Sequence, residues 1–411
     1  MRAFLIRIFF LAAVVLILAE AQGESFPLVY RKAEGQGADI VQKASLGTSH
    51  MRAGTPPALK GLPPGTEERA VFFSMAYRRQ LVVMALIQPT EREPARLWVD
   101  TRGQWDFRDQ TPVEGVWQGK PWEPGQLGVA YFGPLSFKDG SDADPASRFT
   151  ARVYFLPESN QQPSLQVYPE GFFEGTIRAG DCSFKTAVLP SSSSKFMFRP
   201  AGAVLSAKDE GQSYLLFVDL NQDGRFDSHS EMAPLSKILG IQEKFYKTSV
   251  APDQSSIDLE PVQPDCGSID LRDPDLELTV VSQDCSAFLT RREGPLRLPA
   301  GDYAILSHQL KRQDGNKTFL LCGEAMWRDS KRIKMETDQT VRLAMGAPLE
   351  LKATAIRVPG GQCSIGFQII GQGGEKYTAG LEENGSRHPA PEFTLLDESG
   401  RTLQTGNFEY G

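Results

Sequence analysis

The stretch from Tyr214 to Glu231 reads Y-L-L-F-V-D-L-N-Q-D-G-R-F-D-S-H-S-E. Its apolar run, Tyr214 to Val218, passes straight into Asp219, Asn221, Asp223, Gly224 and Asp227. A short continuous apolar run that ends at turn residues marks a strand buried on both faces. The oxygen-bearing side chains that follow, spaced two apart, form a loop suited to a hard divalent cation. The rest of the chain has the same rhythm of short apolar runs and turn residues. With 38 Gly and 28 Pro spread along 411 residues, the expected fold class is all-β.

Bulk composition narrows the function. Hydrophobic residues at 40% and charged residues at 23% are those of a folded globular chain, long enough for several domains. A formal charge of -7, with no block of lysine and arginine against it, excludes a nucleic-acid role and makes divalent cations natural partners. Residues 1–21 read as a signal peptide: Arg2 and Arg7 are basic, Ile8 to Leu18 is apolar, and Ala19-Glu20-Ala21 fits a cleavage site. As a helix that apolar core rises only ~16 Å, about half of a bilayer's hydrocarbon thickness, so it is too short for an anchor. The mature chain is expected to begin near Gln22, with no membrane span, and to be exported to a periplasmic, cell-surface or extracellular location. Cysteines stand at 182, 266, 285, 322 and 363 with no C-x-x-C, which excludes a zinc or thioredoxin-like motif. Cys266 and Cys285, flanking the strand-like region from Ser268 to Val281, are the favoured disulfide pair. Half-buried cysteines near turns are the alternative.

The chain divides into a linker over residues 22–66, a β-rich domain carrying the calcium-type loop over 67–262, a β-sandwich domain or subdomain over 263–336, and an immunoglobulin-like β domain over 337–411. The linker contains Pro56-Pro57 and Pro63-Pro64 and one short strand, Phe26 to Tyr30. In the second segment, Ala70 to Ser74 and Leu81 to Ile87 form a hairpin, and Arg96 to Val99 is a strand ending in Asp100. Phe149, Ala151, Val153 and Phe155 alternate with polar residues and share one face. Leu165 to Tyr168 and Phe172 to Ile177 follow as strands. Pro234 to Gln242 has Leu235, Ile238 and Leu239 at helical spacing and is read as a short helix. Further on, Asp314-Gly315 marks a hairpin, and Leu349 to Ala355 and Ile365 to Ile369 alternate. These one-sided alternations predict tandem antiparallel β-sandwiches. The segment from Leu298 to Tyr303, L-P-A-G-D-Y, resembles the Pro-x-Gly-x-Tyr strand entry of secreted β-sandwich modules.

Asp219, Asn221 and Asp223 sit at positions one, three and five of a D-x-[DN]-x-[DN]-G pattern, which resembles the calcium loop of EF-hand proteins. The resemblance implies an oxygen from each of the three, the backbone carbonyl of Arg225 at position seven, and Asp227 at position nine, with Ca2+ as the cofactor. Gly224 permits the sharp turn, and Phe226 is expected to pack on the core. The family places a glutamate at position twelve, where this chain has Ser230; Glu231, one residue on, is the expected closing ligand. A strand enters the loop and Pro234 limits its exit, so the loop reads as an EF-hand-like insertion in a β-hairpin. An acidic turn without metal is the competing reading. Against it, carboxylates this close repel one another unless a cation neutralises them. A shorter copy of the unit appears at Leu97-Trp98-Val99-Asp100, followed by Gly103, Gln104, Trp105 and Asp106, aligned with Leu216 to Asp227 by deleting two loop residues.

Catalytic motifs are lacking in the sequence. His50, His229, His308 and His388 are scattered, and no nucleophile elbow, phosphate loop or H-E-x-x-H pair occurs. The expected function is therefore a non-catalytic exported β protein, stabilised by calcium, that binds a surface polymer or a protein, with Trp105, Trp117 and Trp122 as candidate stacking residues. The alternative is a secreted, glycosidase-like hydrolase with its carboxylates drawn from distant positions.

Overall fold

The structure, a computed structural model, describes residues 23–34, 36–43, 46–47, 49–50, 59–62, 70–77, 80–88, 94–100, 104–118, 128–136, 147–155, 163–191, 213–290, 294–324, 332–357 and 363–408. The expected signal peptide, Gln22, Pro56-Pro57, Pro63-Pro64 and Trp122 lie outside them. Among the described residues the chain is nearly all strand, with one short helix, α1 (Gln36–Lys43). It forms two compact units, Met1–Ser228 with Lys247–Glu260, and His229–Tyr246 with Pro261–Gly411.

In the first unit, β3 (Ser49–His50), β4 (Ala70–Tyr77), β5 (Gln80–Ile87), β6 (Arg96–Asp100) and β7 (Val113–Glu114) make one antiparallel sheet in that order. A second runs β2 (Leu46–Gly47), β11 (Ser164–Pro169), β10 (Arg148–Phe155), β9 (Gly128–Ser136) and β8 (Val116–Gln118). The two sheets share a core in which Phe73, Met84 and Leu97 pack with Phe132, Phe149 and Val153. Burial follows the pleat: on β10, Phe149, Ala151, Val153 and Phe155 are buried, while Arg148, Thr150, Arg152 and Tyr154 turn to the other face. Strand β5 lacks that alternation because both its faces are covered. Val82, Met84 and Leu86 join the shared core, and Val83, Ala85 and Ile87 join a second one around Trp98 and Phe107. Each such side chain contributes about 2 kcal/mol relative to exposure.

The third sheet of this unit runs β14 (Ser213–Val218), β13 (Cys182–Ser191), β12 (Gly171–Ala179) and β1 (Glu24–Lys32), then the parts of β18 (Ser256–Val262) and β17 (Lys244–Val250) that belong to the unit. The strand expected from Phe26 to Tyr30 is present as β1, and it belongs to a sheet where the sequence suggested a linker. Strand β1 inserts between β18, which pairs Glu24 to Pro27, and β12, which pairs Leu28 to Lys32. Its apolar alternation, Phe26, Leu28 and Tyr30, is short, and backbone pairing on both sides supplies what the side-chain pattern lacks.

In the second unit the strands run β16 (Ile238–Ile241), β21 (Cys285–Leu289), β20 (Leu276–Val281), β23 (Gly301–Asp314), β24 (Lys317–Glu324), β30 (Leu381–Glu383) and β31 (Ser386–Arg387), with β25 (Arg332–Met335) also on β23. Beside them stand β22 (Leu296–Pro299), β19 (Cys266–Leu271) and β26 (Thr340–Leu343); β27 (Glu350–Arg357), β28 (Cys363–Ile370) and β29 (Lys376–Tyr377); and the hairpin β32 (Glu392–Leu396) with β33 (Thr402–Asn407). The short β15 (Met232–Pro234) is tied by Ser286, whose hydroxyl donates to the Pro234 carbonyl at 2.6 Å.

Several expectations change here. The helix read over Pro234 to Gln242 is instead the end of β15 and the strand β16, which pairs parallel to β21, with Ile238 N donating to Asp284 O at 2.8 Å. A free strand edge outweighed a weak helical spacing. The region from Ser268 to Val281 is two strands in different sheets, turned by Asp273, whose Oδ1 accepts from Asp275 N at 3.0 Å. Residues 337–411 are not closed on themselves, since β26 pairs parallel to β19 and β30 pairs with β24. Cys266 and Cys285 are free thiols. Cys266 Sγ donates to Pro264 O at 3.2 Å, and burial pushes the Cys285 thiol up to about 12.

His308 shows how tightly this second core closes. It lies opposite Gly323, its Nε2–H donates to Lys376 O at 3.1 Å, and its ring meets Tyr377 edge-on at 5.0 Å. A Cβ on Gly323 would stand 2.4 Å from that Nε2 and 2.3 Å from that carbonyl, so only glycine fits. Burial lowers the His308 pKa to about 4, and nearby His229 adds to the effect. The native state therefore holds it neutral while the unfolded chain, titrating at 6.5, takes up a proton. Its contribution is complete above pH 6.5 and is lost as pH falls toward 4, a loss of about 3 kcal/mol. Urea unfolding at pH 7 and pH 4.5 checks this: His308→Gln is expected to remove that part of the acid sensitivity, and an unchanged pH dependence would clear His308 of it.

Candidate metal centre

Strand β14 is buried from Tyr214 to Val218 and delivers Asp219, only 3% exposed, to its end. The ladder extends one residue further, since Asp219 N donates to Lys185 O at 2.9 Å. Beyond that the backbone N–H groups have no strand to bond, and Asp219 takes them. Its Oδ1 accepts from Asp223 N at 3.1 Å and its Oδ2 from Gly224 N at 2.9 Å. Asn221 Oδ1 also accepts from Asp223 N at 2.8 Å, and Asp223 Oδ1 from Arg225 N at 2.8 Å. The turn passes through Gln222 at φ 60° and Gly224 at φ 82°. A Cβ on Gly224 would touch nothing within 4 Å, so glycine is there for its φ alone. Phe226 packs edge-on against Phe217, with ring centres 6.0 Å apart, as expected.

The expected ligands divide between the units. Asp219, Asn221, Asp223, Arg225 and Asp227 belong to the first; Glu231, 1% exposed, belongs to the second. Among the described residues, no group of three or more His, Cys, Asp or Glu side chains is placed to hold a metal ion. Asp219 and Asp223 turn toward the loop's own backbone instead. The donor set still suits calcium, because an ionised carboxylate has about four acceptor sites and the hydrogen bonds on Asp219 occupy only part of them. Among the described residues no Lys or Arg pairs with Asp219 or Asp223. Nearby Lys185 reaches the Gly224 carbonyl at 3.3 Å and pairs with Glu174 at 2.9 Å.

No family model, curated protein or solved structure matches this chain.

The expected repeat is visible in the hydrogen bonds, in a register the sequence alignment missed. Asp100, 2% exposed at the end of β6, accepts from Gln104 N at 3.3 Å and Trp105 N at 2.7 Å. These donors lie four and five residues on, as in the loop after β14. Trp105, at φ 58°, therefore occupies the place of Gly224, whereas the two-residue deletion had aligned Gly103 there. The signal for this register, a positive φ on tryptophan, is invisible in the residue types. In that register Asp106 stands at the place of Arg225, so the copies share only the first acid. Asp106 is paired with Arg108, whose Nε donates at 2.9 Å, and these hydrogen bonds lower its pKa to about 2.

Removing the cap tests this architecture without metal. Asp219→Ala, unfolded in chelator, is expected to lose about 1 kcal/mol, because Gly224 N loses its acceptor while Asp223 N keeps Asn221 Oδ1. Gly224→Ala should cost about 1 kcal/mol through backbone strain alone. An Asp219→Ala protein as stable as the parent would show the cap to be dispensable.

Proposed function

We propose that this chain is an exported, non-catalytic β protein in which a calcium ion stabilises the loop after β14, and that it binds a polymer or protein outside the cell. In this reading Asp219, Asn221, Asp223 and Asp227 supply side-chain oxygens and Arg225 its carbonyl. The tandem sandwiches are immunoglobulin-like in kind, and the loop is an EF-hand-like insertion between strands. The observation that supports the metal is the buried Asp219, gathered with Asn221 and Asp223 in one turn, with no Lys or Arg on Asp219 or Asp223 among the described residues. In the loop after β6, Arg108 pairs with Asp106. The buried acids Asp100 and Asp273 are taken up by backbone N–H groups, with Arg312 also on Asp273, and so give the hydrolase reading no support.

With a Kd of ~10⁻⁴ M and ~1 mM calcium, binding stabilises the fold by about 1.4 kcal/mol, which orders a loop without switching a domain. Calcium is therefore expected to raise the melting temperature by about 4 °C, and Asp223→Ala to abolish the rise. Identical melting in calcium and in chelator would remove the metal from this reading.

A further inference from the structure

The sheet β2-β11-β10-β9-β8 buries one face in the shared core and turns the other away from it. Its register sets two rows on that second face. Val116, Tyr131, Arg152 and Gln166 form one, and Gln118, Val129, Tyr154 and Ser164 the next. With strands ~4.8 Å apart and rows ~7 Å apart, this is a flat patch about 14 Å across. Tyr168 lies one row further, opposite Thr150.

The chemistry of the patch is one-sided. Tyr131 donates its hydroxyl to Gln118 Oε1 at 2.5 Å, and Tyr168 donates to Gln166 Oε1. These bonds use the amide oxygens and leave the amide N–H groups as the donors on offer. Arg152 is held between rings, its guanidinium carbon 5.2 Å from the centre of Tyr131 and 4.9 Å from that of Tyr168. Among the described residues no carboxylate pairs with it. Strands β8 to β11 contain two arginines, Arg148 and Arg152, and no Asp or Glu, in a chain whose net charge is -7. Stacking on tyrosine fixes a guanidinium in place, so little order is lost when it grips a planar anion with paired N–H donors. Tyrosine faces beside it suit the flat, C–H-rich side of a sugar ring.

We propose that this face is a binding site for an anionic polysaccharide. The carboxylate or sulfate of one sugar sits on Arg152, the amides of Gln118 and Gln166 donate to neighbouring oxygens, and the adjoining rings lie on Tyr131 and Tyr154. The site rests on the polymer-binding reading above and names its ligand class. It does not involve the calcium loop.

The test uses the whole mature chain in chelator, so that calcium cannot bridge the polymer, with affinity electrophoresis on polygalacturonate, on neutral dextran and on poly(U). Retention on polygalacturonate alone is expected. Arg152→Gln should weaken it at least tenfold, and Arg152→Lys nearly as much, because a lysine cannot make the paired contact. Gln118→Ala, at an exposed position, should weaken it severalfold, and melting temperatures should stay at the parental value in all three. Equal retention of Arg152→Gln, retention on poly(U), or no retention on polygalacturonate would overturn the proposal. Retention on dextran alone would overturn this anionic site but keep the polymer reading. The calcium-dependent melting shift, measured separately, reports the metal whichever way the retention falls.

Discussion

A strand that ends leaves its next backbone N–H groups without a ladder, and a buried carboxylate at that end needs donors of its own. In the first unit the residue at the stop is an aspartate on two occasions. Asp219 and Asp100 each give both carboxylate oxygens to N–H groups four and five residues on. That cap lets the chain turn through Gly224 or Trp105 and leave its sheet. It also fixes where Asn221, Asp223 and Arg225 stand relative to a buried charge, so the candidate metal centre depends on it.

The cap explains the fold of both loops, and their counter-ions explain why they differ in chemistry. After β6, Arg108 neutralises Asp106 from within the loop. After β14, Lys185 pairs with Glu174 and donates to the Gly224 carbonyl. Elsewhere in the same unit the imbalance is reversed. The face around Arg152 presents N–H donors and positive charge on strands that carry no acid. An acidic chain thus gathers acids in one loop and, on one sheet, strands with arginine and no acid.

Much of the strand content was legible because it is local. The alternation from Phe149 to Phe155 has period two, and the run from Val82 to Ile87 is continuous because both faces of β5 are covered. The same local reading failed where a distant partner decided the outcome. Leu235, Ile238 and Leu239 are spaced as on a helix, yet the edge of β21 drew Ile238 to Ile241 into a strand. The short strand read from Phe26 to Tyr30 is there, but its place within a sheet was not legible, because its partners lie at Gly175 and Ser255. The repeat was found in the residues but set in the wrong register, because φ at Trp105 is not written in its side chain.

By itself the sequence determined the all-β class and the acidic loop at the end of a buried strand. Those follow from turn chemistry, pleat periodicity and composition, which are properties of neighbouring residues. Only the tertiary structure decided that β1 completes a sheet, that Glu231 and the loop belong to different units, and that Tyr131, Arg152 and Gln166 stand in one row. Strand register is set by the joint packing of segments far apart in the chain, so no single segment carries it.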